Sequence, residues 1–159
     1  MIVACGGAGF SMAIQYKRQL ASLKQLIKTL EYIRCELEFR LTPLPELCQK
    51  AAAYATGGIK EAFQALSEEL CSQMAPDAQS CMAAVLNRVR LPEKTAEVML
   101  ELGRTLGQFD LNGQLLGLDA VLADCRSVAA QLEEEKPQRV RSYQTLGLCA
   151  GAVLAILLV

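Results

Sequence analysis

The charged residues of this chain are confined to its middle, and this distribution limits the possible folds more than any motif does. All 16 Lys and Arg and all 17 Asp and Glu lie between Lys17 and Arg141. Residues 1–16 and 142–159 carry no charged side chain and are mostly apolar. An uncharged apolar segment at each end of a polar region is typical of a domain anchored in a membrane at both ends.

The C-terminal segment has the features of a transmembrane helix. Residues 143–159 are 17 residues long, about 25 Å as a helix against a hydrocarbon core of about 30 Å. Tyr143 stands where an interfacial aromatic residue is expected, and Lys136, Arg139 and Arg141 precede it as a basic flank. A helix packed in the domain core would keep a polar stripe, which this segment lacks. We therefore expect a membrane span over 143–159.

The N-terminal segment is a weaker candidate for a membrane span. Residues 1–16 are short and rich in Gly, and they include Ser11 and Gln15. A cleaved signal peptide has its basic residues before the apolar region, whereas here Lys17 and Arg18 follow it. We expect a membrane segment over 1–16, shortened by a truncated or late-assigned start. Both basic flanks face the middle of the chain, so the positive-inside rule predicts a cytoplasmic domain over 17–141.

The composition excludes several classes of function. The net charge of −1, with no basic stripe, gives no electrostatic case for nucleic-acid binding. The absence of His removes the commonest general base and a common zinc ligand. None of the seven Cys forms a Cys-x-x-Cys pair. Reduced thiols in a reducing compartment are therefore expected, with a disulfide framework as the alternative.

Helical periodicity runs through the middle of the chain, and no segment shows sustained two-residue alternation. The sequence predicts an all-α fold, an antiparallel bundle of about six helices whose first and last members continue into the membrane segments. The first helix, over about 17–40, has apolar residues at steps of three and four, and a homodimeric coiled coil is its alternative. The stripe consists of Leu20, Leu23, Ile27, Leu30, Ile33 and Leu37.

Turn residues divide the rest into helices. Thr42 is the expected cap of a second helix, with Pro43 and Pro45 in its first turn and Gly57 and Gly58 at its end. Its predicted buried face is Leu44, Leu47, Ala51 and Tyr54. A third helix is expected over about 59–74, with Ile59, Ala62, Phe63, Leu66 and Leu70 facing inward.

The last three helices have clear start signals. Pro76 and Asp77 are expected to open the fourth, and Pro92 the fifth. Gly107 suits a left-handed helix C-cap, and Asp110 suits the N-cap of the last helix. The inward stripe of that helix is Leu111, Leu115, Leu118, Leu122, Cys125, Val128 and Leu132.

No arrangement of residues supports catalysis, so we expect no enzyme, cofactor or metal. The carboxylates of Glu68 and Glu69, and of residues 133–135, are on adjacent residues that point apart on a helix. The glycines at positions 6, 7 and 9 follow no strand and cannot form a nucleotide loop. The Cys and Ser residues have no His partner.

Several segments recur in a recognisable order along the chain: Glu36-Leu37, Thr42-Pro43-Leu44, the run Leu102-Gly103-x-x-Leu106-Gly107-x-x-Asp110, and Gly147, Gly151 and residues 156–158. Together they resemble the stage III sporulation protein AB family of endospore-forming bacteria, over nearly the whole chain. The run ending at Asp110 is the most specific. The N-terminus is several residues shorter than is usual for the family.

The resemblance implies a component of the channel-like complex between mother cell and forespore. It implies a cytoplasmic domain similar to the platform domain of type II secretion and type IV pilus inner-membrane proteins. By that analogy the domain docks against the cytoplasmic ATPase of the complex, the stage III AA protein, and organises other stage III membrane proteins. Membrane lipid and further copies of the chain are the remaining expected partners.

We therefore interpret the chain as a non-enzymatic membrane scaffold in that complex. Two alternatives stay open: a generic oligomeric membrane-anchored helical adaptor, and a thiol-based redox factor, for which Cys35 beside Arg34 is the nearest candidate. For Gly103 and Gly107, helix packing or capping explains the residues as well as partner contact does. The candidate partner-binding residues are Glu36, Arg40, Pro43, Leu44, Gly103, Arg104, Gly107 and Asp110.

Overall fold

The chain folds as a helical bundle. A computed structural model describes the backbone of residues 2–40, 42–72, 77–106 and 110–157, and the side chains in these ranges from residue 14 to 134. The described residues contain no strand and form six α-helices, as the sequence predicts. They are α1 Ile2–Arg40, α2 Leu44–Tyr54, α3 Gly57–Ser72, α4 Ala78–Arg88, α5 Glu93–Thr105 and α6 Leu111–Leu157.

The first and last helices are the longest, with 39 residues in α1 and 47 in α6. They pack side by side. In the ion pairs between them, a higher residue number in α1 is matched by a lower residue number in α6. The two helices are therefore antiparallel. The pairs are Lys24–Glu133 at 2.5 Å, Glu31–Arg126 at 2.6 Å and Arg34–Asp119 at 2.6 Å.

The backbone of α1 and α6 runs as continuous helix into the two segments for which membrane insertion is predicted. The side chains of 1–13 and 135–159 lie outside the described residues, and these ranges include nearly all of both predicted segments. Within the part of the chain that is described, no helix combines the length and the apolar character needed to cross a membrane.

The shorter helices reverse direction from one to the next. Lys50 of α2 lies 3.4 Å from Glu36 of α1. One turn after Lys50, Tyr54 stacks on Tyr32, which is one turn before Glu36, with ring centroids 4.9 Å apart. The α1/α2 pair is therefore antiparallel. The hydroxyl of Ser67 in α3 donates to the carbonyl of Pro45 in α2 at 2.9 Å, so the start of α2 lies beside the last turns of α3.

These pairings bring two helix junctions to one end of the bundle. From the Arg34–Asp119 pair, α1 continues about 9 Å to Arg40, and α6 extends back about 14 Å to Asp110. The turn between α1 and α2 and the junction between α5 and α6 therefore lie together. This end, called the distal end below, is opposite to the direction in which α1 and α6 extend toward residues 1–16 and 143–159.

The core is built from the predicted apolar stripes. Phe63, Ile59 and Leu66 of α3 are fully buried, as is Leu47 of α2. The α1 stripe is buried except for Ile27, which is partly buried, and the structure adds Leu26 to it. In α6 the buried members are Leu118, Leu122 and Cys125, while Leu111, Leu115, Val128 and Leu132 pack partly buried against the core.

Three predictions about the second helix are wrong. Thr42 is not its N-cap: the hydroxyl of Thr42 donates instead to Glu36 Oε2 at 3.4 Å, and the extended Pro43 (φ −56°, ψ 144°) occupies the cap position. Tyr54 is not part of the buried face, since it is 51% exposed and lies against Tyr32. Gly57 does not end α2 but begins α3.

The conformation of Gly57 explains this last difference. The backbone at Gly57 has φ +58°, in the left-handed region that side chains with a Cβ disfavour. The chain leaves α2 through Ala55, whose amide donates to Ala51 O at 2.9 Å, and Gly57 then redirects it into α3. The glycine therefore sets the angle between two helices rather than capping the first.

Candidate docking surface at the distal end

Glu36 is the centre of a polar cluster that joins α1 to α2. Its side chain is only 11% exposed. The Glu36 carboxylate accepts hydrogen bonds from Thr42 Oγ1 and Lys50 Nζ, both at 3.4 Å, and Arg40 Nη1 lies 3.7 Å from it. Burial, followed by the nearby Glu36 charge, raises the pKa of Tyr32. A largely buried carboxylate with two hydrogen-bond donors and a nearby guanidinium ties α2 to the last turns of α1.

The other predicted residues of this turn are at the surface. Arg40 is the last residue of α1, and its side chain is 69% exposed. Pro43 is exposed, and its carbonyl accepts the first hydrogen bond of α2, from Leu47 N at 2.9 Å. Leu44 is partly buried against the core. The guanidinium of Arg40 and the ring of Pro43 are therefore available to a partner.

Gly103 and Arg104 are neighbours on α5 with different environments. Gly103 is buried where α5 crosses α4, and a Cβ there would lie 2.7 Å from Met82 Cβ. This glycine lets two helices approach closely. Arg104 is 55% exposed and pairs with Glu101 one turn earlier at 3.0 Å, so its side chain lies on the outer face of α5.

Asp110 has the capping role that the sequence predicts. Its Oδ1 accepts a hydrogen bond from Gly113 N at 3.0 Å, and its carbonyl accepts one from Gln114 N at 2.9 Å. These bonds fix the start of α6. Gly107, the predicted C-cap, lies outside the described residues.

Apart from Gly107, the structure thus places the predicted residues in two groups at one end of the bundle. Glu36, Arg40, Pro43 and Leu44 form the α1–α2 group, and the second group belongs to the α5–α6 junction. Among them, Arg40 and Arg104 each present an exposed guanidinium. An exposed guanidinium group suits recognition of a carboxylate on another protein.

Among the described residues of the distal end, two exposed apolar side chains were not predicted as functional. Phe39, beside Arg40, is 76% exposed, and Leu116, in the second turn of α6, is 72% exposed. Large apolar side chains held in water contribute readily to a protein interface. A signal for both was present in the sequence, since each is an apolar residue off its own helix's buried stripe.

The buried thiols have raised pKa values, which disfavour the nucleophilic thiolate. Burial raises the pKa of Cys48 to about 12 and that of Cys125 to about 11, and it also raises the pKa of Cys81. A thiol in such a site stays protonated at neutral pH. Cys35 and Cys71 are exposed. Among the described residues, no three His, Cys, Asp or Glu side chains converge as metal ligands.

The fold and the distal surface define a class of all-α proteins in which a compact bundle is framed by antiparallel first and last helices that extend well beyond it. The family model of stage III sporulation protein AB matches residues 1–159, and the chain belongs to this family. The sporulation role that the family name states therefore extends to this chain.

Two relatives support this assignment. Stage III sporulation protein AB of Bacillus subtilis (strain 168) is 27% identical over 161 residues, an alignment that covers 99% of this chain and 94% of the relative. A solved structure of stage III sporulation protein AB (SpoIIIAB) is similar with a TM-score of 0.66 and 22% identity. That likeness covers 76% of this chain and 98% of the solved one, and it shows that the two share a fold.

Proposed function

We propose that this chain is a non-enzymatic membrane scaffold of the channel-like stage III sporulation complex. Its helical bundle lies in the mother-cell cytoplasm, and its distal end docks the cytoplasmic ATPase of the complex. The two terminal segments hold it in the cell membrane, where they contact lipid and the other stage III membrane proteins. The chain organises these partners and carries out no reaction itself.

The observation that carries this proposal is the antiparallel pairing of α1 with α6. Because of it, the charge-free segments 1–16 and 143–159 extend from one end of the bundle, and Arg40 and Arg104 lie toward the other. A protein anchored through those segments presents its distal end to the cytoplasm. The basic residues that follow residue 16 and precede residue 142 support this orientation.

The chemistry of the distal end favours a protein partner. Phe39 supplies an exposed ring in the same last turn of α1 as Arg40, and aromatic and Arg side chains contribute most to binding energy in protein interfaces. The Glu36 cluster ties α2 to α1, and the Asp110 cap fixes the first turn of α6, so these parts of the surface need little ordering when a partner binds. A carboxylate-rich patch on the ATPase is the complement we expect.

Charge reversal at the two exposed arginines tests the proposal. Arg40→Glu and Arg104→Glu are compared with Lys60→Glu, a matched reversal at an exposed position in the first turn of α3, away from the distal end. Binding of the purified ATPase to the full-length chain is measured by biolayer interferometry, and thermal unfolding is recorded in parallel. We expect about a tenfold or greater loss of affinity for each distal variant and none for Lys60→Glu.

Two results would count against this docking surface. Affinities of both arginine variants equal to that of the unmodified chain would remove the distal end from the interface. An equal loss in Lys60→Glu would indicate a general charge effect. A pull-down from sporulating cells with the tagged chain then separates the sporulation scaffold from a generic membrane adaptor, because only the scaffold brings down the ATPase and the other stage III proteins.

A further inference from the structure

The ion pairs between α1 and α6 form a ladder whose charges alternate in sign. Along α6 the members are Asp119, Arg126 and Glu133, each seven residues from the next. On α1 the partners in reverse order are Lys24, Glu31 and Arg34. Each helix therefore carries both signs, and the order of signs on one helix is the complement of that on the other.

The apolar residues at this interface do not by themselves select one register. Leu23, Leu30 and Leu37 of α1 are seven residues apart. So are Leu118, Cys125 and Leu132 of α6. Sliding one helix by seven residues, about 10 Å, would again bring apolar side chains against apolar side chains. The hydrophobic seam alone thus tolerates a one-heptad displacement.

A one-heptad displacement would, however, bring like charges of α1 and α6 together. A slide in one direction places Lys24 opposite Arg126 and Glu31 opposite Asp119, two like-charge contacts. A slide in the other direction places Glu31 opposite Glu133 and Arg34 opposite Arg126. Each displaced register gains a single opposite-charge contact, Lys17–Glu133 or Glu38–Arg126, and loses all three that the structure has.

We propose that this alternating ladder is a register lock between α1 and α6. Each rung is about half exposed, so a single rung contributes little to stability. Its effect is to disfavour the displaced registers, in the way that flanking charges select pairing in coiled coils. The lock makes α1 and α6 one rigid element, so a load at the distal end reaches both terminal segments without sliding.

A swap of the middle rung isolates this effect. In the double variant E31K/R126E every rung still joins opposite charges in the native register. However, α1 now carries only positive rungs and α6 only negative ones, so the slide that brings Lys17 opposite Glu133 creates no like-charge contact. The matched control inverts all six charges (K24E, E31K and R34E with D119R, R126E and E133K), which restores the alternation of signs.

Pulsed electron paramagnetic resonance on the full-length chain measures the register. Spin labels on non-natural amino acids at Ala21 and Ala123, both exposed, leave the native cysteines intact. These positions are about 20 Å apart along the helix axis, so a slide changes their separation by up to about 10 Å. We expect one distance for the native chain and for the full inversion, and a second, displaced population for E31K/R126E.

A single native distance in folded E31K/R126E would overturn the lock, because the other helices would then fix the register unaided. If that variant does not fold, E31Q/R126Q replaces it, since two neutral residues also remove the like-charge contacts of a slide. The same second population is expected there, and its absence would equally reject the lock. ATPase binding at the distal end does not enter this measurement, so either proposal can fail without the other.

Discussion

Gly103 of α5 lies so close to Met82 of α4 that a Cβ at position 103 would be 2.7 Å from the Cβ of Met82 and 3.1 Å from its Cγ. Gln79 Cα lies 3.4 Å from the same point. The contact involves the root of a buried side chain and the backbone, neither of which can rotate away. The spacing of the two helices is therefore set by the absence of a side chain at this position.

Replacing Gly103 by Ala should consequently separate α4 from α5. Overpacking of this kind costs about 1–3 kcal/mol of unfolding free energy, more than the gain in helix propensity returns. Chemical denaturation of the purified chain measures it. Arg104→Ala, at the neighbouring exposed position, is the control and should change stability by less than about 0.5 kcal/mol. Equal effects in the two variants would contradict the close approach.

Gly57 allows a test of backbone conformation without a packing change. Its φ is +58°, and a Cβ there would meet nothing within 4 Å, so substitution affects the backbone alone. Gly57→Ala should destabilise the chain by about 1–2 kcal/mol, and Gly57→Asn by less, because Asn tolerates the left-handed region better. Thermal unfolding ranks the three chains. An Ala variant as stable as the Asn variant would rule out the conformational explanation.

We expect the Asp77 carboxylate to make the free energy of unfolding depend on pH in the acid range. Its side chain accepts a hydrogen bond from Ser80 N at 2.6 Å, and the bonds from Ser80 hold the pKa of the Asp77 carboxyl below its usual value. A lowered pKa stabilises the fold at pH values above the pKa of the unfolded state, about 3.9. This contribution is lost as the pH falls through the lower pKa of the folded state.

Asp77→Ser keeps a capping oxygen but removes the titration. We expect the difference in stability between the native chain and Asp77→Ser to shrink as the pH is lowered from about 5 to about 2. Urea midpoints across this interval provide the measurement. Curves that stay parallel throughout would show that the carboxylate at position 77 makes no special contribution.

The cysteines should divide by reactivity as they divide by burial. With a pKa of about 12 for Cys48 and about 11 for Cys125, the thiolate fraction at pH 7 is on the order of 10⁻⁴ or less. Iodoacetamide should therefore modify Cys35 and Cys71 at least tenfold faster than these two. Peptide mass spectrometry of timed samples reports each site, and unfolding in urea should equalise the rates. Rapid modification of Cys48 in the folded chain would contradict the protection that its burial predicts.

The sequence predicted the helix faces and caps correctly where a single physical effect decides them. The stripe from Leu20 to Leu37, apart from the partly buried Ile27, and the inward residues of α3, apart from the partly buried Leu70, are buried as their spacing predicts, because burial of apolar surface determines which face of a helix turns inward. Asp110 caps α6 because its carboxylate is the nearest acceptor for the free amides of the first turn.

The predictions were wrong for side chains that have two possible partners or environments. Thr42 has a hydroxyl suited to a cap, but Glu36, six residues earlier, accepts its hydrogen bond across the turn. Tyr54 falls on the apolar face of α2, yet stacking on Tyr32 offers it a contact that leaves the ring half in water. Gly117 of α6, against Thr105, was missed as a close-packing position because the sequence does not show which helices cross there.

The distal surface was predictable in its charged residues and not in its apolar ones. Arg40 and Arg104 lie off the stripes and are exposed as expected. Phe39 and Leu116 are also off the stripes, but single exposed apolar residues are common on protein surfaces, so a position off a stripe does not by itself indicate function.

The antiparallel frame of α1 and α6 also imposes a rule of parity on the chain. A helix that enters the bundle at one end and a helix that leaves at the same end must be joined by an even number of crossings. Adding or deleting one helix between them would point one terminal segment away from the other, whereas a hairpin of two helices preserves the arrangement. Engineered insertions at the loop of residues 89–92 should therefore succeed as helical pairs and fail as single helices.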